Sequence, residues 1–514
     1  MTSSPNFAVV RGSGAVPEPT AASPASGRAA EPAAPDRHRG WAATGLAGIG
    51  LSLAAFLWLA LAGPSAVQPR LPGGGAPWMF HVDPSPYLAI SLMAAGIVVG
   101  AAGTGCCLVA ARRGWRPRTA WLLGAGIAVA ALFAVTPPVG SSDHLNYAAY
   151  GHMAVEGLNP YTTTAEELGG PFGGAVEEWR TTPSIYGPIL TWIQSGAAWI
   201  GGESVRTTVF VLSLLNGVAF VLVGLVLYLR TRDEGARLRG LLLWTVNPLL
   251  LFQLVSGAHN DVWGIAAAVL ALTVFTRGAA TLWRTFGTGL IVGAAVAIKL
   301  PAGLVGGGPA WHLLRSARDL RGTAVLFGGA GLTFGVAYGI VGLKGFDQVR
   351  HASDFISLAN VWHLFGGAGG GVLGMDLPKP LISILSLCLL LYLVRLLSRA
   401  LPSGDDRDVL RVAAALVLAW LFAATYALPW YDGLGWALLA LLPWSRFDGV
   451  LLLRTSLLSL AYLPARAPLK AGLPDDLHWL VTGLRASVMP LVSAAVLALL
   501  IWTCLRPPRR VPAP

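Results

Sequence analysis

Charge is scarce in this 514-residue chain: Asp, Glu, Lys and Arg make up 12% of it, against 54% apolar residues. So little charge over so much apolar surface excludes a water-soluble domain folded around one core, and it places the chain in a membrane. Cysteine is just as sparse. The four present, Cys106, Cys107, Cys388 and Cys504, lie inside apolar stretches without metal-ligand spacing, which excludes a zinc site and a disulfide framework. No RNA- or DNA-binding motif accompanies the net charge of +11. Basic loops beside membrane spans account for that charge, so no nucleic-acid partner is expected. The start of the chain also lacks the short apolar region of a signal peptide.

What the chain has in quantity fits the membrane class: 19 Trp, which anchor at bilayer interfaces, and 63 Gly, which are commoner in membrane helices than in soluble ones. Residues 1–40 are rich in Ala, Pro, Ser and Gly without the periodicity that buries a face, and read as a disordered cytoplasmic tail. Residues 506–514 read as a short basic tail. Between them, a hydrocarbon core about 30 Å thick asks for roughly 20 apolar residues per helix. Spans are expected near 41–63, 85–111, 119–137, 206–229, 240–257, 262–276, 285–298, 302–314, 322–341, 378–399, 409–428, 433–445, 448–465 and 487–505. Short members are expected to be tilted, paired or broken, which gives an all-α bundle of about 13 transmembrane helices.

Arginine sets the orientation. Clusters precede the first span (Arg37, Arg39), separate the second from the third (Arg112, Arg113, Arg116, Arg118) and follow the fourth (Arg230, Arg232, Arg237, Arg239). Later clusters at 277–284, 315–321, 395–411 and 506–510 fall on the same side of the expected path. That side reads as cytoplasmic, with both termini on it. The opposite side then receives residues 138–186, a long first outer loop expected to carry short helices, and the polar residues around Ala258, Lys344, Trp430 and Ala465.

The densest polar cluster is "SSDHLNYAAYGH", Ser141 to His152, directly after an apolar stretch. Ser141 or Ser142 can cap a helix beginning near Asp143. Asp143, Tyr147 and Tyr150 then share one face at spacings of four and three. A carboxylate beside aromatic rings suits a sugar, whereas the ordinary alternative is a dipole-stabilising Asp with interfacial tyrosines. "GLNPY" and "TTPSIYGPI" turn the chain and return it to the membrane, as an ordered functional loop would. Three further clusters follow: His259, Asn260 and Asp261 in "SGAHNDVW", Lys299 in "AIKLPAG", and Trp430, Tyr431 and Asp432 in "LPWYDGLGW". Helix capping, snorkelling and the aromatic belt are their structural readings, while ionisable groups near membrane depth are functional candidates.

In this order, "SSDHLNYAAYGH", "GLNPY", "TPSIYGP", "AHND", "IKLP" and "PWY" resemble the actinobacterial polyprenol-phosphomannose-dependent α-1,6-mannosyltransferases of the GT-C glycosyltransferase class. The resemblance covers nearly everything after the N-terminal tail. It implies a GT-C-like catalytic domain over 41–505 in the plasma membrane, a polyprenyl-phosphate-mannose donor, and a glycan or glycolipid acceptor extended through α-1,6 linkages on the outer face.

The class uses an acidic residue in its first long outer loop, and the matching position is Asp143. Its carboxylate would take the acceptor's hydroxyl proton as that oxygen attacks the anomeric carbon. His259, Lys299 and Arg180, in that order, are the candidates for the donor phosphate, with Arg350 and His351 in reserve. His144, Tyr147, Tyr150, Tyr186, Asn260, Asp261, Trp430 and Tyr431 are candidates for sugar or lipid contacts. Relatives in the wider class carry two adjacent acids and bind a metal; here His144 follows Asp143. That pair can ligate a divalent ion but does not define a site, so neither an obligatory metal nor another cofactor is expected. A transporter or flippase of a lipid-linked saccharide is the alternative, with "IKLP" its best feature, though no internal repeat supports it. A non-catalytic assembly subunit is a third reading.

Overall fold

Ser85 begins the first well-marked helix by accepting the amide hydrogen of Leu88, with Pro86 at the next position. The computed structural model describes residues 37–278, 281–342, 344–345, 355–367, 370–403 and 408–506. Most of the tail expected over 1–40, the terminal residues 507–514, and Arg350 and His351 lie outside the described residues. Among the described residues the regular structure is helical, with no strand.

The first elements are α1 (Arg37–Ala62), α2 (Pro86–Arg112) and α3 (Thr119–Ala134). α1 and α2 approach closely because glycines face one another: a β-carbon on Gly103 would stand 2.8 Å from the Gly45 carbonyl oxygen. Small residues in such seams let helices pack without a hydrophobic drive between them. After α3, four short helices occupy the loop region: α4 (Asp143–Val155), α5 (Ala165–Leu168), α6 (Gly170–Ala175) and α7 (Pro188–Gly201). α8 (Val205–Arg230) follows, capped by Ser204 and ending on a basic residue that suits its dipole.

Among the described residues seven helices are long and apolar enough to cross a membrane: Arg39–Ala62, Pro86–Arg112, Val205–Arg230, Glu234–Ser256, Leu320–Val341, Lys379–Ala400 and Asp475–Leu505. Four shorter apolar helices accompany them: Thr119–Ala134, Asp261–Thr276, Leu282–Ile298 and Val409–Ala423. The expected number of about 13 spans is therefore not reached by length and composition. The expected span 302–314 shows why. Pro301, Pro309 and four nearby glycines break it into a 3-10 turn (Leu300–Gly306), one α turn (Gly307–Trp311) and one π turn (His312–Ser316).

Buried ion pairs hold distant segments. Arg239 binds Asp448 through Nε and Nη2, and its Nη1 donates to the Leu439 and Leu442 carbonyls. Arg466 pairs with Glu177 and donates to the carbonyls of Ser65, Gln68 and Lys470. One guanidinium thereby ties three connecting segments together around the start of α4.

Candidate active site

The chain reaches Asp143 through a fixed turn. Val139 donates to the Ser256 carbonyl and Gly140 to that of Val67. Gly140 has φ +89°, and a β-carbon there would strike the Phe252 ring. Ser141 Oγ accepts the Asp143 amide hydrogen at 3.1 Å, whereas Ser142 turns away and donates to Glu178 Oε2 at 3.1 Å. Of the two serines expected to cap α4, Ser141 meets the Asp143 amide.

Asp143, Tyr147, Tyr150, Tyr186, Lys299, Trp430 and Tyr431 all line one cavity of about 660 Å³. Tyr186 Oη donates to Tyr147 Oη at 3.3 Å, and Tyr147 Oη donates to Asp143 Oδ2 at 3.4 Å, so two phenols are chained to the carboxylate. Tyr150 Oη is committed to the Thr182 carbonyl at 2.9 Å. Lys299 terminates the helix Leu282–Ile298, pairs with Asp261, and lies 3.8 Å from the centre of the Tyr431 ring. Asp261 and the ring hold it in place on the cavity wall.

Other expected residues lie elsewhere. His259 and Asn260 are fully buried behind the wall. His259 Nε2 stands 3.8 Å from Asp143 Oδ2, its ring stacked on Trp430 with centroids 3.6 Å apart. Asn260 accepts from Asn216 Nδ2 at 3.0 Å and makes no side-chain cap for the helix Asp261–Thr276. His144 is fully buried and does not reach the wall. Arg180 lies beside the cavity without lining it, its carbonyl accepting from Glu166.

Two charged groups of the wall, Glu178 and Arg485, were missed from sequence, as were the phenols of Tyr426 and Tyr462. Glu178 stands in the acidic pair of "VEEW" within the expected outer loop, and that pair was its only signal. Arg485 closes the expected outer segment that starts at Ala465. Its Nε donates to the Ala461 carbonyl at 2.8 Å, and its Nη2 to those of Tyr462 and Leu463. Its Nη1 makes no hydrogen bond to a described residue.

Electrostatics separate these groups. Burial, then the negative charges of Glu178 and Asp261, push the Asp143 carboxyl up to about 7, against the opposing pull of Lys299 and Tyr147. Burial also raises Glu178, with Ser142 and Arg485 acting against it. Burial pulls His259 down to about 3, with Lys299 adding to the effect and the Gln253 carbonyl opposing it. His144 falls to about 3 through burial, His259 and Arg466. A carboxyl titrating near neutrality beside aromatic walls is suited to taking a proton from a bound hydroxyl.

Among the described residues one group has the spacing to hold a metal: His152, Glu156 and Glu203, with ligand atoms within 4.8 Å of one another. It lies at the far end of α4 from Asp143, and none of its members lines the cavity.

Residues 41–315, more than half of the chain, match the family described as alpha-(1->6)-mannopyranosyltransferase, N-terminal domain. The chain belongs to this family. It is 32% identical over 150 residues to an alpha-(1->6)-mannopyranosyltransferase of Mycobacterium tuberculosis, covering 28% of this chain and 25% of the relative. It is 30% identical over 201 residues to alpha-(1->6)-mannopyranosyltransferase A of the same organism, covering 36% and 35%. Alpha-(1->6)-mannopyranosyltransferase A of Corynebacterium glutamicum is 29% identical over 170 residues, covering 32% and 33%. The alignments thus span between 25% and 35% of these relatives' length. No solved structure matches the chain. In this mannopyranosyltransferase family member, Asp143, Glu178, His259 and Lys299 fall inside the matched region, and Trp430 and Arg485 beyond it.

Proposed function

We propose that this protein is an inverting mannosyltransferase that moves mannose from polyprenyl-phosphate mannose to a mannan-type acceptor, forming α-1,6 linkages. The observation that carries the reading is Asp143, a carboxyl group titrating near neutrality on the wall of a large aromatic cavity. The same cavity is lined by Ser383, Ser386 and Leu390 of the membrane-length helix Lys379–Ala400, so an apolar helix borders it, as a lipid-linked donor requires.

Asp143 takes the proton of the acceptor hydroxyl as that oxygen bonds to the anomeric carbon of mannose. The bond from that carbon to the phosphate oxygen breaks, and its electron pair leaves with polyprenyl phosphate. A β-linked donor gives an α-linked product. Lys299 and the unengaged Nη1 of Arg485 supply positive charge where the phosphate separates. His259, buried with its ring behind the wall, and Arg180, beside the cavity, are poorly placed for that task.

The catalytic unit is residues 41–505 in the plasma membrane, with both termini cytoplasmic and the cavity on the outer face. Connectivity supports this orientation: Arg118 and Asp143 flank opposite ends of α3, and Ser204 and Arg230 opposite ends of α8.

The test is transfer of labelled mannose from polyprenyl-phosphate mannose to a short α-1,6-mannoside by membranes holding the intact chain or Asp143→Asn. Transfer by the intact chain and its loss in the variant is the expected result. Full activity in the variant would remove Asp143 from the chemistry, and no transfer by either protein would return attention to the transporter reading.

A further inference from the structure

The proton taken by Asp143 has a second acceptor behind it. His259 lies between the π-helical segment Leu251–Ser256 and the helix Asp261–Thr276, and its Nδ1 bonds the Gln253 carbonyl. A carbonyl oxygen only accepts, so Nδ1 carries the hydrogen. In a neutral imidazole Nε2 then presents a lone pair. That nitrogen faces Asp143 Oδ2 at 3.8 Å, with no hydrogen bond to a described residue. The ring is fully buried and lies 17° from the plane of Trp430. A half-turn of the ring would keep the stack but lose the bond to Gln253 and turn Nε2 away from Asp143.

We propose that His259 is a positioning residue that accepts a hydrogen bond at Nε2 from Asp143 after the carboxylate has taken the acceptor's proton. The proposal rests on the reading of Asp143 as the base. While Asp143 is ionised, two lone pairs face each other and no bond forms, consistent with a separation beyond hydrogen-bond range. Once protonated, the carboxyl turns about its Cβ–Cγ bond and presents its O–H to Nε2. The contact exists only after proton transfer, so it strengthens the base without favouring the substrate-bound ground state. The proton stays on Asp143, shared with Nε2, until it passes to water.

An imidazolium at this position would act in the opposite direction, pairing with the carboxylate and weakening it as a base. Other charged or titratable groups face Asp143 from each packed element: Tyr147 and Tyr150 of α4, Glu178 and Tyr186 of the loop, Asp261, Lys299, Tyr426, Tyr431 and Tyr462. His144, Lys299 and Asp143 face His259. All of these remain when His259 alone is changed, so a displaced pH profile reports on Nε2.

The experiment compares the intact full-length chain with His259→Gln and His259→Phe in lipid nanodiscs, measuring kcat for mannosyl transfer between about pH 5 and 9, donor affinity and thermal stability. His259→Phe keeps the stack on Trp430 but has no acceptor. Its acidic limb should move about one pH unit lower and its plateau kcat should fall about ten-fold, with donor affinity unchanged. The Gln side-chain oxygen reaches toward the place of Nε2 and should restore most of both. A limb that stays still or moves to higher pH in His259→Phe, or Gln behaving like Phe, overturns the proposal. Should His259→Phe fail to fold, the ¹⁵N shifts of His259 in the unaltered protein decide: protonation at Nδ1 alone sustains the proposal, and hydrogen at Nε2 overturns it. Activity retained by Asp143→Asn would defeat the parent reading. Activity lost there with an unmoved limb in His259→Phe would defeat this inference alone.

Discussion

Lys299 and Asp261 meet across 38 residues of sequence as a partly buried ion pair, and the Lys299 ammonium sits 3.8 Å from the centre of the Tyr431 ring. Asp261 is 6% exposed in its side chain and Lys299 16%, so neither charge is well solvated without the other. The pair therefore joins the end of one helix to the start of another and sets a cation on the cavity wall.

Removing one partner should cost more than removing both. Lys299→Met leaves the Asp261 carboxylate buried without compensation, a loss of about 3–5 kcal/mol. Lys299→Met with Asp261→Asn should recover most of that stability while transfer stays low, because the charge opposite the leaving phosphate is still missing. Thermal unfolding in detergent and mannosyl transfer, measured on both variants, check this. Equal stability of the single and double variants would show that the pair is not coupled.

Transfer should rise with pH through neutrality. Asp143 is raised to about 7, and as the proposed base it must be deprotonated, so the rate should be held down below that value and reach its plateau above it. Glu178 supplies the largest charge contribution to this rise after burial. Glu178→Gln removes a negative charge that favours the protonated form, and should move the acidic limb to lower pH. A limb displaced upward would mean that Glu178 acts on Asp143 by some route other than charge.

Much of this architecture is legible in the chain. The expected spans 85–111 and 206–229 fall within a residue or two of Pro86–Arg112 and Val205–Arg230, because long apolar runs with a serine cap and a terminal arginine mark their own ends. Ser141 as the partner of the Asp143 amide is local too. The relations that complete the cavity are not local. Nothing in "AHND" shows that His259 bonds backward to Gln253, that Asn260 belongs to Asn216, or that Asp261 belongs to Lys299. Glu178 and Arg485 were invisible as partners for the same reason: their roles depend on where distant segments pack. The break at 301–309 was readable as prolines and glycines, but its outcome, three short turns of different pitch, depends on the helices around it.

Arg485 should act on donor binding. Three backbone carbonyls at the end of the helix Phe447–Ala461 hold Nε and Nη2, which leaves Nη1 available to an anion on the wall. Arg485→Lys keeps a charge but loses the planar fork that those carbonyls fix. About ten-fold weaker donor affinity is expected, with a smaller effect on kcat. Binding of a polyprenyl-phosphate analogue, measured beside steady-state kinetics, separates the two. Unchanged affinity in Arg485→Lys and Arg485→Met would place the phosphate elsewhere.

The position of Asp143 also depends on how tightly α4 lies against α7, and one glycine decides it. A β-carbon on Gly151 would stand 2.6 Å from the Gln194 carbonyl carbon, which belongs to helix backbone and cannot rotate aside. Gly151→Ala should therefore push α4 from α7 at a cost of about 1–3 kcal/mol. It should lower transfer as well, since α4 carries the carboxylate at its first turn. Gly196 lies on α7 with open space where its β-carbon would be. Gly196→Ala relieves a mid-helix glycine and should leave activity intact while adding up to about 1 kcal/mol of stability. Both variants add one methyl group to the same helix pair, so helix propensity predicts a gain for each. Opposite signs in thermal unfolding would isolate the close approach of α4 to α7 as the cause, and equal gains would show that this approach does not resist a methyl group.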